Sequence, residues 1–151
     1  MSVQPIPILL ADDDDGDRLL FEMALCELPL ATDLATVSDG EQLMIRLMKN
    51  VANLPHLLFL DINMPRKNGF ECLVEIKRNE DMKSLPVIIF STSDNERDIK
   101  EAFDAGADLY IVKPPDFVRL IKTIGHAINF SLSSDFTRPP LEKFVMKNAA
   151  F

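Results

Sequence analysis

The sequence predicts an α/β fold: a doubly wound, five-stranded parallel sheet covered by helices on both faces. Two observations carry this. Five short apolar runs alternate with five segments of helical periodicity. The runs are apolar throughout, where a half-buried strand would alternate apolar with polar, and this marks strands buried on both faces. A chain of 151 residues fits one domain. Its 47% apolar residues can fill a core, and its 26% charged residues supply a hydrated surface.

Each element follows in order. "ILLA" (8–11) is a short buried strand. "DRLLFEMALCEL" (17–28) is a helix with Leu20, Met23, Ala24 and Cys26 or Glu27 at near-helical spacing. Within it, Leu19, Leu20 and Phe21 are consecutive. Three such residues span about 200° of a helix, whereas a buried stripe covers little over 100°, so at least one faces outward. "LATV" (34–37) is the second strand, and "GEQLMIRLMKN" (40–50) a helix with Leu43 and Leu47 inward. "LLFL" (57–60) is the third strand, followed by the helix "NGFECLVEIKRN" (68–79) with Phe70, Leu73 and Ile76 on one face. "VIIF" (87–90) is the fourth strand. The helix "ERDIKEAFDAG" (96–106) turns Ile99, Ala102 and Phe103 inward, and Gly106 suits its end. "LYIV" (109–112) is the fifth strand. "PDFVRLIKTIGHAINF" (115–130) is the last helix, with Phe117, Leu120, Ile121, Ile124 and Ile128 in register. Residues 1–130 thus form one unit, and residues 131–151 are a C-terminal extension of different composition.

Charge and composition exclude some functions. A net charge of −8 disfavours nucleic acid, because phosphate binding needs a basic face. The start "MSVQPIP" lacks the basic-then-apolar pattern of a signal peptide, and no apolar run is long enough to span a bilayer. Cys26 and Cys72 have no metal spacing and read as reduced, semi-buried thiols of a cytoplasmic protein. His56 and His126 lie far from the acids and read as structural or exposed.

In open parallel sheets, sites form beyond the carboxyl ends of the strands, where the strand order reverses. Asp12 and Asp13 follow the first strand in "ILLADDDDGDR". Asp61 follows the third, Ser91 the fourth and Lys113 the fifth. If the first and third strands are neighbours, three carboxylates share a small volume. They need compensation to stay ionised together, and a hard divalent cation such as Mg²⁺ supplies it. Carboxylates, metal, hydroxyl and ammonium in one place make a phosphoryl-transfer site, where catalysis is mostly positioning and charge neutralisation. An EF-hand reading of "ADDDDGDRLLFE" fails: Ala11 would take the first ligand position and Arg18 the apolar eighth, and a strand precedes where a helix belongs.

These residues together resemble the receiver domain of bacterial two-component response regulators. The resemblance covers residues 6 to about 130 and rests on Asp12–Asp13, "LDINMPRKNG" around Asp61, Ser91, and Lys113–Pro114, in order and at family-like intervals. It implies a flavodoxin-like sheet of order 2-1-3-4-5. It implies that Asp61 is the nucleophile that accepts a phosphoryl group from a histidine kinase or histidine phosphotransfer protein. Asp13 and Asp61 would bind Mg²⁺ with the backbone carbonyl of Asn63, and Asp12 directly or through water. Lys113 would pair with a phosphoryl oxygen and with Asp61. Ser91 would hydrogen-bond the phosphoryl group, and Tyr110 would turn inward as Ser91 moves. The Lys113–Pro114 bond would be cis. Asp14 and Asp15 depart from the family pattern and read as solvated acids at a helix start, favoured by its positive end and by capping.

The function expected is a phosphorylation switch of a protein–protein surface, formed by "ERDIKEAF", "LYIV" and the last helix, with no separate turnover activity. Residues 131–151 are too few for a helix-turn-helix, so the expected output is a downstream protein target, not DNA. The short form, "STSD" and the extension are similar to the small regulators paired with bacterial phytochrome kinases. Phe136, Leu141, Phe144, Val145, Met146 and Phe151 should be buried on the last helix or on a second copy, as a homodimer. Two rivals stand beside this reading. A haloacid-dehalogenase-like phosphatase would place its nucleophile in the first acidic run, but its second acid should precede Thr or Val, and it leaves Asp61 unexplained. A receiver-like scaffold would not take phosphate at all.

Overall fold

The computed structural model describes residues 4–146. In chain order its elements are β1 (Ile6–Ala11), α1 (Asp15–Cys26), β2 (Thr32–Val37), α2 (Gly40–Lys49), β3 (Leu57–Leu60), α3 (Gly69–Arg78), β4 (Val87–Ser91), α4 (Glu96–Asp104), β5 (Leu109–Val112), α5 (Phe117–Ser131), a single 3-10 turn (Leu141–Lys143) and β6 (Val145–Met146). All strands are parallel, in the order β2-β1-β3-β4-β5-β6. The first five follow the expected order, and β6 is an addition from the C-terminal extension.

The sheet separates two cores. Leu9, Ala11, Leu58, Leu60, Val87 and Ile89 face α2, α3 and α4. Ile8, Leu10, Leu57, Phe59, Ile88 and Phe90 face α1 and α5. Alternate residues of one strand therefore fill opposite layers, which is why the runs had to be apolar at every position. Each helix begins at a polar cap, which satisfies backbone N–H groups that the helix leaves open. Asp14 accepts from Asp17 N, Asp39 from Gln42 N, Asn95 from Arg97 N and Asp116 from Arg119 N. Asn68 forms a reciprocal capping box with Glu71.

Two expectations about packing need correction. In α1 the buried residues are Phe21, Ala24 and Leu25, while Leu20, Met23 and Cys26 are exposed. Phe21 decides this register: it lies edge-on to Phe59 at 4.9 Å and to Phe90 at 5.5 Å, an aromatic trio between α1 and the sheet. The cysteines are not semi-buried either. Cys26 is exposed and Cys72 fully buried, and burial pushes the Cys72 thiol up to about 12.

The extension returns to the sheet. Phe136 packs edge-on to Phe130 of α5, and Arg138 lies over the Phe103 ring of α4 at 3.8 Å while donating to the Phe103 carbonyl. Phe144 is fully buried, its carbonyl accepts from Tyr110 N, and Val145–Met146 pair with Tyr110–Ile111. The edge of β5, a strand within the expected output surface, is thus covered by the chain's own extension. Two-residue strands leave no hydrophobic pattern to read, since backbone groups alone make the pairing. Phe151 lies outside the described residues, as does the start of "MSVQPIP". Among the described residues no helix is long and apolar enough to cross a membrane.

Candidate functional site at the carboxyl edge of the sheet

Strand order reverses between β1 and β3, and Ala11 is level with Leu60 in the register. The next residues, Asp12 and Asp61, therefore leave the sheet side by side. Backbone bonds hold them there: Asp12 N donates to Val37 O at 3.1 Å and Asp61 N to Ala11 O at 2.9 Å. Asp12, Asp13 and Asp61 each offer a carboxylate oxygen within 4.8 Å of the other two. Asp12 is fully buried, Asp61 nearly so, and Asp13 is exposed. An all-oxygen set with one corner open to water fits a hard divalent cation that keeps part of its hydration shell.

Lys113, just beyond β5, reaches into the same place. Its ammonium lies 2.8 Å from Asp12 Oδ2, 2.8 Å from Asp17 Oδ2 and 3.7 Å from Asp61 Oδ2. It also stands 5.2 Å from the centre of the Phe90 ring. Burial opposes its charge, but the hydrogen bonds to Asp12 and Asp17 outweigh this and hold the ammonium above the ordinary lysine range. At the carboxyls, by contrast, burial wins. It raises Asp12 despite the bonds from Lys113 and Asp14 N. It pushes Asp61 up to about 6, with Lys113 opposing and Asp12 and Asp13 adding repulsion. Lys113 wins at neither carboxyl because its short contacts are divided, and Asp61 receives the longest.

The loop after Asp61 is pinned to it. Gly69 N donates to Ile62 O at 2.8 Å, and a Cβ at Gly69 would stand 2.2 Å from the Asp61 carbonyl oxygen. Only glycine permits this approach. Between them Arg66 adopts φ 69°, within a tight turn closed by Lys67 N donating to Pro65 O. Its guanidinium lies 3.7 Å from both Asp39 and Glu41.

The remaining expected residues stand on the neighbouring strands. Ser91 is fully buried at the end of β4; its carbonyl accepts from Lys113 N at 2.8 Å, and its hydroxyl accepts from Ser93 N at 3.1 Å. Tyr110 is already inward and fully buried, its hydroxyl donating to Ser93 O at 2.8 Å. Asn63 is exposed two residues beyond Asp61. The Lys113–Pro114 bond is not cis, contrary to the resemblance; an X–Pro bond intrinsically favours trans by about 0.5–1 kcal/mol. A hollow of about 300 Å³ lined by Pro7, Asp33, Arg46 and Pro55 lies at the opposite, amino ends of the strands, away from these groups.

Some residues were missed. Asp14 is not one of them: it caps α1, as the helix-start reading expected. Asp15 pairs with Arg18, whose other nitrogen donates to Asp12 O at 2.7 Å. Asp17, a fifth acid in the same run, holds Lys113. Its place three residues after the cap was the available signal, because a side chain there folds back over the helix start. Ser93 Oγ donates to Asp98 of α4 at 2.6 Å.

Known proteins are similar in sequence and fold. The response regulator receiver domain family matches residues 8–125. Response regulator Rcp1 of Synechocystis sp. is 31% identical over 134 residues, covering 86% of this chain and 91% of Rcp1. The crystal structure of the phosphorylated cyanobacterial phytochrome response regulator RcpA is 34% identical, with a TM-score of 0.79, over 91% of this chain and 100% of RcpA. The Mn²⁺-bound form of Rcp1 gives 31% and 0.76 over 90% of this chain and 100% of that one. The fold agrees with these, and the chain belongs to the response regulator receiver domain family, the phosphorelay response regulators of two-component signalling.

Proposed function

We propose that Asp61 accepts the phosphoryl group, and that the site needs Mg²⁺ to do so. The observation that carries this is the convergence of three carboxylates within 4.8 Å with Lys113 at 3.7 Å from Asp61. A carboxylate oxygen of Asp61 attacks the phosphorus of a phosphohistidine on a sensor kinase or a histidine phosphotransfer protein. The O–P bond forms, the N–P bond breaks, and its electron pair stays on the imidazole nitrogen. Asp13, Asp61 and the backbone carbonyl of Asn63 would hold Mg²⁺, with Asp12 through water, since both Asp12 oxygens already accept protein hydrogen bonds. The metal would supply neutralisation of charge on the phosphoryl oxygens. Lys113 meets one of those oxygens and the Ser91 hydroxyl donates to another. Rcp1 in its Mn²⁺-bound form and RcpA in its phosphorylated form lend support.

Turning Ser91 toward phosphate withdraws its hydroxyl from Ser93 N. Ser93 is also held by Tyr110 and by Asp98, so the change passes to α4 and β5, and through Tyr110 to Phe144. The signal is then read by a downstream protein target, not by DNA, and no separate turnover activity is involved. Residues 1–130 act as the receiver unit and residues 131–151 as its C-terminal extension, in the cytoplasm where such a kinase displays its phosphohistidine. Phe130 of α5 and Leu132 and Leu141 of the extension remain exposed, and a second copy would dock there as a homodimer; a full-length chain that elutes as a monomer at high concentration removes that element.

Acetyl phosphate with Mg²⁺ tests the reading. Covalent phosphate on Asp61, lost in Asp61→Asn, is expected. Label within the first acidic run would support the phosphatase instead, and no label the scaffold.

A further inference from the structure

We propose that Asp17 is a positioning residue that tethers Lys113 away from Asp61 in the resting protein, and so sets how readily the lysine reaches an incoming phosphoryl group. The proposal rests on the reading of Asp61 as acceptor. Lys113 lies at hydrogen-bond distance, 2.8 Å, from Asp17 and from Asp12, but at 3.7 Å from Asp61. The third contact is beyond the usual length of a charge-assisted bond, about 2.7–2.9 Å. The lysine side chain is 10% exposed, so the tether works largely out of water, although Asp17 itself is 35% exposed.

The position of Asp17 is built, not incidental. Its backbone N–H donates to the Asp14 cap at 2.8 Å, and the next residue, Arg18, donates to Asp12 O at 2.7 Å. Through Arg18 directly, and through Asp14, whose N–H donates to Asp12 Oδ1, the first turn of α1 is thereby fastened to Asp12 just after β1. Asp12 has no freedom to release the lysine: it is fully buried, and its other oxygen accepts from Asp14 N at 3.0 Å. Asp17 is the partner that can let go, because its carboxylate is part-exposed and water can replace the ammonium. When a phosphoryl group forms its bond to Asp61, the new oxygens demand a cation, and Lys113 leaves Asp17 while keeping Asp12.

Removing the tether charge should therefore speed the reaction. With acetyl phosphate, the Asp61 O–P bond forms as the P–O bond to acetate breaks, the electron pair leaving with acetate. In Asp17→Asn the maximal rate of labelling should rise about two- to fivefold, the range of a part-exposed ion pair, with the half-saturating acetyl phosphate concentration unchanged. Asp17→Glu should restore the parent rate. The Lys113 side-chain NMR signal should shift between parent and Asp17→Asn at rest and coincide once Asp61 is phosphorylated. In a Lys113→Ala background, Asp17→Asn should have no effect on the rate. A rate equal to the parent's, or the same acceleration without Lys113, overturns the proposal, the second by showing only reduced repulsion of an anionic donor. If the parent takes no phosphate on Asp61, the acceptor reading itself falls, and this proposal with it.

Discussion

Phe144 of the extension lies edge-on to Phe103 of α4, ring centroids 5.2 Å apart, and tilted against Tyr110 of β5 at 6.2 Å. A residue outside the five-stranded unit is therefore part of its core. Phe144→Ala removes a fully buried ring with only partial collapse around the void, and should lower folding stability by about 3–5 kcal/mol. Urea unfolding checks this. A loss under about 1 kcal/mol, the range of surface substitutions and weak contacts, would show that the extension does not belong to the folded unit.

The Asp61 carboxyl makes stability depend on pH in a direction opposite to most acids. Its folded value is raised to about 6 from an ordinary 3.8, chiefly by burial. Between those values the folded chain binds more protons than the unfolded chain, so stability falls as pH rises through the window. The contribution is fully present below the ordinary value and lost above about 6. Without metal, Asp61→Asn should be more stable than the parent at pH 7 by about 2–3 kcal/mol, and no more stable at pH 4. Urea titrations in chelator at both pH values measure this. Added Mg²⁺ should shrink the difference at pH 7, because a ligand bound only by the folded parent stabilises it.

How much could be read from residues alone follows from which forces are local. The strands "LLFL" and "LYIV" were placed to the residue, since runs buried on both faces are continuous in sequence. The acids were legible because the sheet's topology, once inferred, decides where strand ends meet. The inward face of α1 was not. Leu19, Leu20 and Phe21 are equally apolar in any helical pattern, and the choice of Phe21 is made by Phe59 and Phe90, which arrive from distant strands. The tether at Asp17 was hidden by abundance: among five acids in six residues, only its place three residues after the cap sets it apart, and Lys113, which chooses it, arrives from a distant strand. The β6 pairing uses backbone groups, which have no sequence signature.

Gly69 is where the loop and the acceptor meet. A methyl group there would press against the Asp61 carbonyl oxygen at 2.2 Å and Ile62 Cα at 2.8 Å, both backbone atoms that cannot swing aside. Gly69→Ala should lower stability by about 1–3 kcal/mol, as overpacking does, and slow acetyl phosphate labelling because the Asp61 backbone must shift. Stability and labelling both at parent level would show that the loop yields freely and does not position Asp61.

The exposed side of α1 adjoins the acidic edge. Leu19 is 57% exposed, and Leu20 and Met23 stand beside it in the open, while Phe21 holds the helix to the sheet. An apolar face next to the acceptor is suited to docking a protein phosphodonor such as a kinase, since burying such residues drives association and a few of them dominate it. A small donor such as acetyl phosphate needs no such surface. Leu19→Glu should therefore slow transfer from the cognate kinase by about tenfold or more, a loss of at least about 1.4 kcal/mol, and leave acetyl phosphate labelling within about twofold of the parent. The two donors, run on the same protein, separate docking from chemistry. Equal slowing with both would mean that the change acts through the fold of α1, and that its Leu19 face is not where the kinase binds.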